Sequence, residues 1–444
     1  MPQKQSLLWQ KNAQANGDDW TTRFTVGDDY RWDTLLLPYD IRSTRAHAGA
    51  LTETGVLTAE ERTRIEGALD ELEGDVEDGT VTVTPADEDC HTVIEQFLTE
   101  RLGETGEKIH AGRSRNDQVL VAVRMFLRDK LRALGRQTVA IAEALCALGE
   151  RYDDAPMPGY THLQRAMPTT AGLWALGYAE VLAADLGALR DACRRVNVSP
   201  YGSAAGYGVP HLDLPRRAVA ERLGFRAVQT HAPAVQLTRG KLELGVVHAL
   251  VQVAGPVNRL AADLSLFTTS EFAFADLPDA LTTGSSIMPQ KRNPDVAEIA
   301  RATYHRLTAQ MQLLQSLPAN LPSGYHRDLQ FTKAAVMKSA LMTEDLLEAA
   351  RRLAEGVTFD REAMRAACTP ELFATAEAME RVAEGVPFRT AYRGVGSALD
   401  ALSGAPDAET ALAAYHTDGT PGQGRPDLVR QRLAEYEEWG MRDS

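Results

Sequence analysis

The chain has 444 residues, a formal net charge of −14, 44% hydrophobic and 24% charged residues. That length suggests about three domains of roughly 150 residues, and the composition is that of a folded globular protein rather than a disordered or low-complexity one. The acidic balance argues against nucleic acid or an anionic membrane as the main partner, since both need a basic footprint, but it permits an anionic small molecule in a locally positive site.

The N-terminal stretch MPQKQSLLWQKN has no apolar signal core. Residues 57–76 read as a helix, with Thr58 as cap, Glu61 three positions on, and apolar residues at helical spacing. GTVTVTPADED (79–89) alternates briefly and reads as a short hairpin arm. Helical spacing resumes over 91–102. Long, rarely interrupted helical patterns then cover 116–151, 168–197 (opening at Pro168), 238–270, 295–316 and 327–356, far beyond the usual mean of about 11–12 residues. Their apolar stripes are wide. Leu173, Trp174, Leu176, Tyr178, Val181 and Leu182 cover more than one face, so several neighbours must bury them. The expected architecture is all-α, with three domains. An N-terminal, mainly helical domain spans 1–109, a long-helix bundle 110–356 and a small helical domain 357–444, and other subunits extend the bundle. The stretch 244–257 is too short for a membrane span and carries His248 and Gln252. Cys90, Cys146, Cys193 and Cys368 form no Cys-x-x-Cys pair and are too few for a disulfide framework. Cys146 and Cys193 fall in apolar helical patterns and read as buried thiols. A reducing cytoplasm is the expected home.

Four polar segments interrupt these helices. HAGRSRNDQV (110–119) places Arg113 and Arg115 around Ser114, with Asn116 next, just ahead of a long helix. Guanidinium forks suit a carboxylate, and helix N-terminal amides help hold one; the same residues would also serve as a solvated helix cap. PGYTHLQRAMPTT (158–170) puts His162 in a polar helix-entry loop, a better place for an acid or base than an apolar face. His91 and His110 rank next. TTGSSIMPQKRNPD (282–295) is a loop feeding a helix, with Asn293 at the expected cap and Pro294 at the first position. It is either a linker or a mobile lid carrying serines and an anion-binding lysine. LPSGYHRDLQFTK (321–333) sets Gln330 and Lys333 on one helix face near Tyr325. YGSAAGYG (201–208) lacks the pattern of a nucleotide loop, and no His-Glu-x-x-His or Cys/His zinc spacing is present, so no metal site is expected.

Together, HAGRSRNDQV, GYTHLQRAMPTTAGLW, TTGSSIMPQKRNPD and LPSGYHRDLQ resemble the signature blocks of argininosuccinate lyases, within the superfamily of fumarase, aspartase and adenylosuccinate lyase. The resemblance runs in order from about residue 40 to about residue 350. It implies a cofactor-free elimination that splits argininosuccinate into arginine and fumarate, the last step of arginine biosynthesis. It also implies a homotetramer whose active sites are each built by three chains. By resemblance, Ser285 takes the proton from carbon, Lys291 and Asn293 stabilise the carbanion, and His162 with Glu298 protonates the leaving nitrogen. Ser114, Arg115, Asn116, Thr161, Tyr325, Gln330 and Lys333 match substrate-binding positions. The chain departs from the family pattern in three places. Asp29 stands where a substrate-contacting serine is expected, THAPAVQLTRGK (230–241) lacks a usual Asn-Ser-x-Asp-Ala-Val run, and His326 replaces an asparagine. Alternatives are a sister lyase acting on adenylosuccinate or another substituted succinate, and a non-enzymatic protein on this fold.

Overall fold

The computed structural model describes residues 19–399, 402 and 408–442; the N-terminal stretch read for a signal core lies outside them. The chain is mainly helical. Its described strands form four two-stranded pairs. It divides into two compact units, one of residues 1–128, 194–243 and 316–337, the other of residues 129–193, 244–315 and 338–444.

In the first unit, the helix Asp29–Glu53 tolerates Pro38 and buries Leu36, Leu37, Ile41 and Leu51. Ala59–Glu77 follows, closed at its start by the expected capping box, Thr58 accepting from Glu61 N and Glu61 accepting from Thr58 N. Cys90–Leu102 starts at Asp89, whose carboxylate accepts from Thr92 N. The expected hairpin arm at 79–89 does not form. Thr84 N and Oγ1 both donate to Asp87, and Pro85 has no ladder N–H to give, so the segment turns on itself instead of pairing.

Long helices dominate the chain. Arg115–Arg151 has 37 residues, Ala171–Val196 26, Lys241–Phe267 27, Asp295–Ser316 22 and Phe331–Gly356 26. Within the second unit, Trp174 Nε1 and Tyr178 Oη both donate to Asp263 at 2.8 and 2.7 Å, tying the 171–196 helix to the 241–267 helix. Ala171–Val196 is the described helix long and apolar enough to cross a membrane; here Ala175, Leu182, Leu186 and Leu189 are buried in the protein. Cys90, Cys146 and Cys193 are buried thiols outside any disulfide among the described residues.

Residues 156–170 correct the expected helix opening at Pro168. Pro156–Thr161 pairs antiparallel with Gln164–Thr170, Pro168 lies in the second strand, and the helix begins at Ala171. Tyr160, Thr161 and the Pro-Thr-Thr run fit an extended ribbon better than a helix. Gly172 lets the 115–151 and 171–196 helices meet. A Cβ there would lie 2.6 Å from Asp153 N and 2.7 Å from its Cα, with Gly149 O also in contact. Because these obstacles are backbone, Gly172→Ala is expected to cost about 1–3 kcal/mol by overpacking. Thermal melting checks it, and an unchanged midpoint would contradict this packing account.

Candidate active site

Three segments of the second unit bring most of the expected catalytic groups. Thr283–Gly284 pairs antiparallel with Arg292–Asn293, so the Gly-Ser-Ser segment is a loop pinched at its base. Arg292 holds that base, bonding Asp276 at 2.8 Å, Asp279 at 2.9 Å and Leu277 O at 2.6 Å. The helix starts at Asp295, so Asn293 sits in the short strand, not at the cap, and Pro294 precedes the first helical residue. Asn293 Nδ2 donates to Thr283 Oγ1 at 3.5 Å. Ser285 Oγ accepts from Ile287 N at 3.3 Å and Met288 N at 3.1 Å. Ile287, 82% exposed, leaves the loop tip open to solvent. Lys291, Asn293 and Glu298 line one cleft of about 1190 Å³.

His162 occupies the tip of the 156–170 hairpin. His162 and Leu163 form its two-residue turn, with φ of 55° and 59°. Turns of that shape ordinarily take Asn-Gly. A His-Leu pair held left-handed carries strain, and strain of this kind concentrates at working sites. The imidazole is exposed beside Thr161, also exposed. Among the described residues, His162 and Glu298 form no ion pair within the chain; Glu298 instead faces Arg301 at 3.6 Å.

The expected binding residues gather in the first unit. Ser114 caps the 115–151 helix, its Oγ accepting from Asn116 N while its own N–H reaches Asp117 Oδ1. Asp117 Oδ2 also accepts from Gly202 N and Ala204 N. The two arginines of the segment part company. Arg113 turns inward to Thr44, Ser43 and Asp40, and Arg115 bonds Asp89 at 2.7 Å and Thr92 Oγ1 at 3.0 Å. The two-arginine clamp is therefore not formed: Arg113 serves the core, and Arg115 lines a cavity of about 270 Å³ with Asn116, Tyr325, Gln330 and Lys333. Gln330 ends a 3₁₀ turn rather than sharing the helix with Lys333, and its amide donates to Thr25 O at 3.0 Å. Lys333 Nζ bonds Asp33 at 2.5 Å and Asp29 at 3.0 Å. Burial favours its neutral amine, but the two carboxylates outweigh that and hold the ammonium above its ordinary range. Burial likewise pushes Asp29 up to about 6.

Several residues of this cavity escaped the reading of the sequence: Asp33, Glu88, Asp89, Arg239 and Arg327. One signal was present. Asp29, Asp33 and Asp40 are spaced by four and seven, which sets three carboxylates on one helix face. His91 lines the same cavity, and its Nδ1 meets Asp40 at 2.6 Å; His110 stands apart, 3.5 Å from Glu95. Asp33, Cys90 and His91 also bring their donor atoms within 4.8 Å of one another, a spacing that suits a metal ion. Asp33 is already committed to Lys333 and His91 to Asp40, and burial, reinforced by Asp33 and Asp40, pushes the Cys90 thiol far up, away from the thiolate a metal needs.

Comparison with known proteins places the chain in a family and a fold. The profile of a family described as Lyase matches residues 21–308. The argininosuccinate lyase of Sorangium cellulosum is 47% identical over 96% of this chain and 98% of its own length. That of Thermotoga neapolitana is 42% identical over 87% of this chain and 96% of its own. A crystal structure of EDDS lyase in complex with formate superposes with a TM-score of 0.78 at 23% identity, covering 95% of this chain and 91% of that one. A class II fumarase from Schistosoma mansoni gives 0.70 at 15%, covering 89% and 95%. These two likenesses identify the fold as the fumarase/aspartase-like helical bundle. With the profile matching residues 21–308 and the relatives covering 87–96% of it, the chain belongs to the argininosuccinate lyase family.

Proposed function

We propose that the chain cleaves argininosuccinate to arginine and fumarate by anti β-elimination through a carbanion. The proton to be removed lies alpha to a carboxylate and is a poor acid. Its removal needs a base held in place and positive charge where the carbanion develops. Ser285 is the base. It acts as the alkoxide, its hydroxyl proton having passed to solvent at the open loop tip, and becomes a hydroxyl again on taking the carbon-bound proton. Two backbone N–H groups point at its oxygen and bond the alkoxide more strongly than the hydroxyl. Lys291 and Asn293, on the same loop, stabilise the charge spreading onto the carboxylate. His162 protonates the departing guanidino nitrogen, oriented by Glu298. Ser114, Arg115, Asn116, Thr161, Tyr325, Gln330 and Lys333 bind the substrate. No cofactor is required by this scheme.

The observation that carries the reading is the Ser285 loop, with its oxygen under two amides and Lys291, Asn293 and Glu298 around one cleft. We further propose a homotetramer with active sites shared between subunits, acting in the cytoplasm at the last step of arginine biosynthesis. That His162 and Glu298 form no ion pair within one chain, among the described residues, supports the sharing. So do the apolar side chains left open on the long helices, Val181 at 48% and Ile299 at 64% exposed. The segment 110–356 would supply the intersubunit bundle between the flanking segments 1–109 and 357–444. Co-expression of His162→Gln with Ser285→Ala chains tests the sharing. Random tetramers should regain roughly a quarter of the sites if the two residues come from different chains. No recovery in mixed tetramers confirmed by light scattering would contradict it.

A further inference from the structure

The cavity of the first unit has an uneven charge pattern that its expected binding residues do not explain. Three arginines and a lysine line it. Arg115 is matched by Asp89 at 2.7 Å and Glu88 at 3.7 Å, and Arg327 by Glu88 at 3.7 Å. Lys333 has Asp33 and Asp29. Among the described residues Arg239 has no carboxylate in ion-pair range, although it is only 6% exposed. Its Nε and Nη1 are buried without a hydrogen-bond partner, as are both amide atoms of Gln236 three residues earlier. The guanidinium lies over the Tyr325 ring, 4.8 Å from its centroid, and faces the cavity. A buried guanidinium stays charged, and leaving it unpaired is costly unless an anion joins it. The Lys333 side has the opposite excess, two carboxylates on one ammonium. His91 at the same wall is taken up by Asp40.

A wall with one cation lacking a carboxylate and, on its other side, two carboxylates sharing one ammonium suits a ligand carrying both charges. We propose that Arg239 and Asp29 form a clamp for the zwitterionic head of an α-amino acid, Arg239 taking the α-carboxylate and Asp29 the α-ammonium, so that these two residues set specificity for the arginine half of the substrate. By the resemblance to the family, Asp29 stands where a substrate-contacting serine is expected. A serine hydroxyl offers a hydrogen bond but no charge, whereas the carboxylate adds attraction for an ammonium. The charge pattern of the wall calls for an α-amino acid; its identity as arginine rests on the proposed reaction.

Calorimetry of the full-length protein tests the clamp without turnover. The probes are L-arginine, agmatine, which lacks the α-carboxylate, and Nα-acetylarginine, which lacks the α-ammonium. The wild type should bind arginine on the order of 100-fold more tightly than agmatine. Arg239→Met should abolish that preference by weakening arginine alone, and Asp29→Asn should weaken arginine while leaving Nα-acetylarginine unchanged. Should Arg239→Met fail to fold by circular dichroism, Arg239→Lys keeps the charge and should keep the preference for arginine over agmatine. The clamp is overturned if the wild type does not distinguish arginine from agmatine, if Arg239→Met weakens both equally, or if folded Arg239→Lys loses the preference. Arginine binding that follows this pattern without fumarate release from argininosuccinate would sink the reaction and keep the clamp. Fumarate release with arginine binding indifferent to Arg239 would sink the clamp alone.

Discussion

Ser285→Ala is expected to lower kcat by on the order of 10³-fold or more while KM for argininosuccinate and the melting temperature stay close to wild type. The substitution removes one oxygen from a half-buried loop position whose partners among the described residues are the N–H groups of Ile287 and Met288. Those amides face solvent at the loop tip and can bond water, so little stability is lost. Binding is expected to persist because Arg115, Asn116, Tyr325, Gln330 and Lys333 lie in the other unit. Steady-state kinetics with fumarate absorbance checks both halves of the expectation. A kcat within tenfold of wild type would remove Ser285 as the base, whereas a collapse of melting temperature would show that its role is structural.

Asp40→Asn is expected to cost about 3–5 kcal/mol of stability, because it leaves buried charge without its counter-ion. Asp40 is fully buried and accepts from His91 Nδ1 at 2.6 Å, from Gln118 Nε2 at 2.9 Å and from Arg113 Nη2 at 3.4 Å. Burial alone would raise its pKa, but His91, Arg113 and Gln118 outweigh it, and the carboxyl is held below its ordinary value. His91 shows the reverse: burial disfavours its charge, yet Asp40 and the neighbouring carboxylates hold its pKa above the usual 6.5. Asp40 therefore contributes stability that is present above its unfolded value of about 3.9 and lost as pH falls through the lower folded one. His91 contributes stability that is full below about 6.5 and lost as pH rises through its raised folded value. The pair should stabilise most between about pH 4 and 6.5. Melting temperature against pH should decline on the alkaline side in the wild type, and that decline should flatten in Asp40→Asn. Equal profiles would mean that His91 is not charged by Asp40. Because Arg113 and Gln118 flank Ser114–Asn116, the same variant should also raise KM.

The long helices were legible because their signal is repeated over 20 or more residues, and the boundaries at 151, 316 and 356 match the periodicity. The capping box at Thr58 was legible because it is a local rule between residues three apart. Context decided the rest. The hairpin at 156–170 has weak alternation and a turn with neither Asn nor Gly, so nothing local announced it. The 79–89 segment alternates like a strand, but Pro85 and the bonds of Thr84 to Asp87 turn it on itself. The 29–53 helix was overlooked because Pro38 and buried aspartates obscure its pattern, and with it went Asp33 and Asp40. Arg239 was beyond reach from sequence: nothing in VQLTRGK says that this arginine ends up buried and unpaired. The motif residues themselves were found through their resemblance to a family, and local chemistry alone left each segment open between a cap and a site.

The most direct test of the account is to mix the purified protein with argininosuccinate, and separately with adenylosuccinate, and follow the absorbance of the fumarate double bond. Fumarate is expected from argininosuccinate alone. Fumarate from adenylosuccinate alone, or from neither, would contradict it.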